Sequence, residues 1–157
     1  MKKIGFVTLL LGALLLGGCS ENTGKVSLGL FTLKDVVIRD FTDPLIPGVT
    51  CHVASVVADL SLADPANSSI SCRQTGEIYL DNIAAINKSK SGEEVFKQSQ
   101  SVLFKTLKVR RIYDPKNQTL LYLSYSTKNT EGSDKHSLST VSLWGTEAYQ
   151  SVVPASK

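Results

Sequence analysis

The sequence predicts a mainly β fold: a sandwich or partial barrel of about seven or eight strands with one short helix. Three observations carry that expectation. Runs that favour strands recur at 35–41, 49–57, 69–73 and 137–143, the first two of them rich in β-branched residues, which fit a pleated, half-buried surface. Two cysteines, Cys51 and Cys72, each lie inside one of these runs. Finally, residues 102–113 and 119–126 flank Asp114-Pro115-Lys116-Asn117-Gln118, a hairpin loop in which proline after aspartate suits a type I turn. A helix-rich α+β arrangement is the alternative.

The chain has 157 residues, which allows one domain and a short anchoring segment. With 42% hydrophobic and 20% charged residues, it has the composition of a folded globular protein. Without Lys2 and Lys3, the 17 Lys/Arg fall to 15 against 14 Asp/Glu. A balance this close to neutral argues against nucleic acid as a partner.

Met1-Lys2-Lys3 precedes a run over 4–16 that is apolar and glycine but for Thr8, the order of a signal peptide. The run is shorter than the roughly 20 apolar residues a membrane span needs. Leu16-Gly17-Gly18-Cys19 resembles the lipobox of bacterial lipoproteins, which implies cleavage before Cys19 and a diacylglycerol on its Sγ. Ser20 in place of aspartate fits sorting to the outer membrane. Residues 1–18 are therefore expected as a lipoprotein signal peptide and 19–27 as the lipidated N-terminus and a polar tether. A β domain over 28–150 and a flexible tail over 151–157 complete the expected order.

Within the domain, Asp43-Pro44 and Pro47-Gly48 end the first strand and turn the chain back. The weak segment 60–67 offers at most a turn. Residues 76–80 read as another short strand, residues 81–86 as one or two helical turns with Asp81 as N-cap, and 87–94 as a polar loop. In the hairpin, pairing Asp114 with Gln118 sets Val109 opposite Leu123 and Leu107 opposite Tyr125 on the buried face. The wet face then carries Lys108, Arg110, Tyr122 and Ser124, a candidate surface for an anionic small ligand or headgroup.

An even pair of cysteines remains once Cys19 is lipidated, and Cys51 and Cys72 are expected to form a disulfide in an oxidising compartment. Such a bridge contributes about 3 kcal/mol in the chain-entropy view. The redox reading uses His52 beside Cys51, but catalytic dithiols favour Cys-x-x-Cys spacing and neighbouring strand residues point to opposite faces. His52 and His136 are too few for a zinc site once the cysteines pair. No Gly-x-Ser-x-Gly elbow or glycine-rich phosphate loop occurs in the sequence. The residues therefore nominate no catalytic group, no metal and no cofactor.

Phe41-Thr42-Asp43-Pro44, Gly48-Val49-Thr50-Cys51-His52-Val53, Ile70-Ser71-Cys72-Arg73-Gln74-Thr75-Gly76 and Val95-Phe96-Lys97 resemble segments of the CreA family (catabolite regulation protein A) of Gram-negative bacteria. So do residues 101–114, Leu121-Tyr122-Leu123-Ser124-Tyr125-Ser126 and Glu131-Gly132-Ser133. The resemblance implies a small exported protein and transfers no catalytic residue. This chain differs from members with an ordinary cleavable signal peptide by its lipobox. The expected function is that of a lipid-anchored periplasmic domain that binds a small ligand or an envelope protein, with a thiol-redox or hydrolytic enzyme as the alternative.

Overall fold

The computed structural model describes residues 22–29, 34–58, 68–99, 106–126 and 135–150. The expected signal peptide, Cys19, segment 60–67 and the tail from 151 lie outside them. Eight strands and one helix follow in order: β1 (Gly24–Ser27), β2 (Lys34–Thr42), β3 (Val49–Ala58), β4 (Ser68–Gln74), α1 (Leu80–Ala85), β5 (Glu93–Ser99), β6 (Thr106–Asp114), β7 (Thr119–Ser126) and β8 (His136–Ser142). They form two four-stranded antiparallel sheets, β1-β2-β3-β4 and β5-β6-β7-β8. The mainly β expectation holds, as two packed sheets and no closed barrel.

Alternation along the strands explains the layering. Val49, Cys51, Val53 and Ser55 of β3 are buried, while the intervening residues point to the outer face of the first sheet. Leu107, Val109 and Arg111 of β6, with Leu120, Tyr122 and Ser124 of β7, line the opposing inner face. The shared core also takes Ile46, Ile78, Ile83, Ile86, Val141, Leu143 and Ala148. On one flank Phe41 of β2 stacks on Phe96 of β5, with centroids 4.6 Å apart. On the other flank β4 lies against β8, where Ser139 Oγ accepts the Cys72 backbone N–H at 2.8 Å. That bond occupies a donor on the open edge of the first sheet, which would otherwise invite pairing.

Several local expectations are corrected. Residues 24–27 form an edge strand, β1, in place of the end of a tether; Lys25 is held to Asp35 of β2 at 2.8 Å. Residues 76–80 make no strand. Ile78 alone turns inward while Tyr79 and Leu80 are exposed, and the Ile78 carbonyl accepts a hydrogen bond from Ala148 N–H. Helix α1 starts one residue earlier than expected, and Asn82 rather than Asp81 makes the capping bond, its Oδ1 accepting Tyr79 N–H at 2.9 Å. Strand β5 occupies Glu93–Ser99, where a loop ending at 94 was expected, and the expected strand start at 102–105 lies outside the described residues.

The hairpin register also differs by one residue. Asp114 pairs with Thr119, so Val109 faces Ser124 and Leu107 faces Ser126. The cause is a four-residue turn over 115–118 that ends on Gln118 at φ +46°, a left-handed residue that returns the chain one step later. The Asp114 carboxylate holds the turn by accepting Lys116 N–H, Asn117 N–H and the Asn117 amide. These bonds, led by that from the Asn117 side chain, hold its pKa below the usual carboxylate range.

The connections described in full gather at one end of the sandwich. Strands β2, β4, β6 and β8 run towards it, and it carries the 43–48 turn, the 75–92 segment with α1, the 115–118 turn and the 143–150 segment. Because β1 runs antiparallel to β2, Asn22 and Thr23 begin at this end too, and the Thr23 hydroxyl bonds Asp40.

Candidate functional site

Of the four residues expected on one wet face, two are there. Lys108 and Arg110 lie on the outer face of β6, while Tyr122 and Ser124 lie on the inner face of β7 and are fully buried. The one-residue register difference is the reason, since it exchanges the faces of a whole strand. The outer partners of Lys108 and Arg110 are Tyr125 and Leu123. Lys108 Nζ sits 2.7 Å from Glu94 Oε2; this bond holds the Glu94 pKa down and the Lys108 pKa up. Arg110 donates from Nε to the Ser91 carbonyl at 2.8 Å and from Nη2 to the Gly92 carbonyl at 2.9 Å. Arg110 therefore braces the turn that leads into β5, and Lys108 pairs with β5 itself.

Cys51 and Cys72 stand directly opposite in the β3–β4 ladder and form a disulfide. Because Cys72 N–H points to Ser139 and not to β3, this is a non-hydrogen-bonded pair, where facing side chains approach most closely. Cys51 is fully buried and Cys72 nearly so. His52 falls on the other face of β3, opposite Ser71, and His136 opens β8 opposite Tyr125. The histidines thus lie on the outer faces of different sheets. Among the described residues no three of His, Cys, Asp and Glu converge in a way that could hold a metal ion.

The densest polar arrangement lies inside, where the two sheets meet at the loop-bearing end. Asp43 directly follows β2, and its carboxylate turns under the chain, Oδ1 accepting the N–H groups of Leu45 at 2.9 Å and Ile46 at 3.0 Å. Arg111 reaches it from β6: Nη1 pairs with Asp43 and Nη2 with Glu93 of β5. The Tyr122 hydroxyl donates to Asp43 Oδ2 at 2.8 Å. Arg111 and the Asp43 carboxylate are almost wholly buried, and Glu93 opens to solvent. Burial, then the Asp43 charge and the bond to it, push the Tyr122 pKa far above the usual phenol range. The phenol remains a donor at any physiological pH.

Each part has a local cause. Pro44 forces Asp43 into extended geometry, so the chain leaves the sheet with its carboxylate directed back. A bulge at Val95 changes the parity of β5, so that Glu93 and Phe96 both share the inner face with Arg111 and Val109. Gly92, at φ +60°, lets the backbone pass against the Arg111 carbonyl, where a Cβ would overlap it. Arginine suits the position because its planar fork serves two carboxylates at once. Among the described residues, Ser137 Oγ is the only buried side-chain polar atom without a partner.

Local sequence pattern does not disclose this cluster, yet one signal points to it. Arg110 and Arg111 are adjacent on a strand, so one must face inward, and a buried arginine requires a carboxylate.

Fold and site define a disulfide-stapled β-sandwich whose sheets are pinned together by a buried Asp–Arg–Glu–Tyr cluster. The family model described as CreA protein matches residues 23–146, a span containing all eight strands. The chain is 41% identical over 112 residues to Protein CreA of Escherichia coli strain K12, covering 68% of this chain and 71% of that protein. Protein CreA of the O6:H1 and O157:H7 strains matches to the same extent. The chain belongs to the CreA family. No solved structure matches it.

Proposed function

We propose that this member of the family is an exported, lipid-anchored domain of the bacterial envelope that acts by binding, not by catalysis. The observation carrying the reading is the division of the three cysteines. Cys51 and Cys72 are joined to each other, which fits an oxidising compartment, and Cys19 alone stands at the lipobox position behind a basic and apolar leader. The use of the ionisable groups supports the binding role. Asp43, Arg111, Glu93 and Tyr122 bond one another across the sheets, whereas Lys108 pairs with Glu94 of β5 and Arg110 braces the turn before it. Groups that catalyse proton transfer stand within reach of a substrate; these stand within reach of the fold. Serine following Cys19 favours the periplasmic face of the outer membrane as the place of attachment.

The reading is tested by growing an expressing Gram-negative strain with radiolabelled palmitate. Label is expected on the wild-type chain and absent from Cys19→Ser. An unlabelled wild type, or equal labelling of the two, refutes the anchor.

A further inference from the structure

We infer that the loop-bearing end of the sandwich is a membrane-contact surface, which seats Trp144, Tyr79, Leu80 and Leu45 in the interfacial layer of the bilayer that holds the Cys19 lipid. The inference rests on the lipid-anchor reading and adds an orientation to it.

The first support is where most of the large exposed apolar side chains lie. Of the seven among the described residues, Trp144 (73% exposed), Tyr79 (51%), Leu80 (44%) and Leu45 (39%) sit at this one end, on segments bonded to each other, while Val26 lies on β1, Leu28 just after it and Leu138 on the outer face of β8. Asn82 Nδ2 donates to the Leu45 carbonyl at 3.0 Å, joining α1 to the 43–48 turn. Ala148 N–H donates to the Ile78 carbonyl at 3.0 Å, joining the 143–150 segment to the residue before Tyr79. Trp144 itself is presented by a closed turn. Thr146 Oγ1 and N–H both bond the Leu143 carbonyl, Gly145 takes φ +81°, and the indole meets Tyr149 edge-on at 4.8 Å. Large apolar side chains gathered in one exposed place mark an interaction surface. Trp and Tyr accompanied by leucines are the residues that favour the headgroup level of a bilayer.

The second support is where the chain begins. Asn22 and Thr23 start at this same end, with the Thr23 hydroxyl bonded to Asp40 near the end of β2. Cys19 is three residues before Asn22, and three extended residues span about 10–11 Å. A lipid on Cys19 therefore holds this end, and not the opposite one, against the membrane. The third is charge. The segments at this end carry Glu77, Asp81, Asp114 and Glu147 as well as Lys88, Lys90 and Lys116, a near balance that favours neutral phospholipid over a strongly charged partner.

Trp144 is the only tryptophan in the chain, so its fluorescence reads the contact directly. The full chain is produced with its leader in a Gram-negative host, purified in detergent and weighed by mass spectrometry for the acyl modification. It is then reconstituted into phosphatidylcholine vesicles with or without bromine on the acyl chains, which quenches only on contact. The expected result is an acylated chain whose emission shifts to the blue in plain vesicles and is mostly lost in brominated ones. Tyr79→Ser with Leu80→Ser, both at exposed positions, should lessen the quenching. An acylated chain with unquenched Trp144 overturns the inference and leaves the anchor intact, as it would if a protein covered this end. An unacylated chain overturns the anchor, and the inference falls with it.

Discussion

Replacing Arg111 with methionine tests whether the buried cluster holds the sandwich together. Methionine keeps much of the aliphatic length and removes the guanidinium. The Asp43 carboxylate, fully buried, then loses its counter-charge but keeps the Tyr122 hydroxyl and two backbone N–H donors. Removing one partner of a buried ion pair costs about 3–5 kcal/mol. The three remaining donors place the expected loss near the lower end, at about 3 kcal/mol. That is a large part of the roughly 5–15 kcal/mol that stabilises a domain.

The assay is urea unfolding of the chain carrying Cys19→Ser, with the disulfide intact. For a slope of about 1–3 kcal/mol per M, the midpoint should fall by about 1–3 M without a change of slope. Lys108→Met, on the same strand but facing solvent beside Glu94, should leave the midpoint near that of the parent. Arg111→Lys should recover only part of the loss, because one ammonium cannot serve Asp43 and Glu93 as the fork does. If Arg111→Met unfolds within about 0.5 kcal/mol of the parent, the scale of an ordinary surface change, the cluster does not pin the sheets.

Gly48→Ala should destabilise the domain by about 1–3 kcal/mol or more, read by thermal or urea unfolding, because a Cβ there would overlap the Glu77 carbonyl. Burial and the Asp43 charge raise the folded pKa of Tyr122. The stability linked to its proton is therefore whole below about pH 10 and is lost at higher pH, by about 1.4 kcal/mol per pH unit. Ultraviolet titration should show Tyr122 ionising only with unfolding, and Tyr122→Phe should abolish that late step. Replacing Cys51 and Cys72 together with alanine should cost about 3 kcal/mol in urea unfolding; an unchanged midpoint would deny the bridge its stabilising part.

What the sequence disclosed, and what it did not, follows from the range of the interactions involved. The strands at 35–41 and 49–57 were legible because β-branched runs report their own half-buried setting, and those at 69–73, 119–126 and 137–143 because short runs carrying apolar residues are bounded by turn residues. The disulfide was legible because both cysteines lay in such runs. Strand β5 was not, because Glu93, Glu94, Lys97 and Gln98 give it a loop's composition and the Val95 bulge breaks its alternation. The faces of the hairpin turned on one torsion. With Gln118 in the left-handed region, Tyr122 and Ser124 pass from the wet face to the core. The buried cluster depends on Asp43 meeting Arg111 across 68 positions, a pairing that local pattern does not carry.

The loop-bearing end divides its side chains between two tasks along the same short segments. Asp43 and Ile46 turn inward while Leu45 is exposed; Ile78 and Ile83 turn inward while Tyr79 and Leu80 are exposed; Leu143 and Thr146 turn inward while Trp144 is exposed. The inward members already satisfy the loops, through the Asp43 bonds to Leu45 and Ile46, the Ala148–Ile78 bond and the Thr146–Leu143 bonds. The outward apolar residues add little to folding, since an exposed side chain has little water to shed. Trp144→Ser should therefore leave the urea midpoint within about 0.5 kcal/mol of the parent, in contrast to Arg111→Met. A loss of several times that size would place Trp144 in the fold's own support, and a large apolar residue with such a task could not also be free for a membrane.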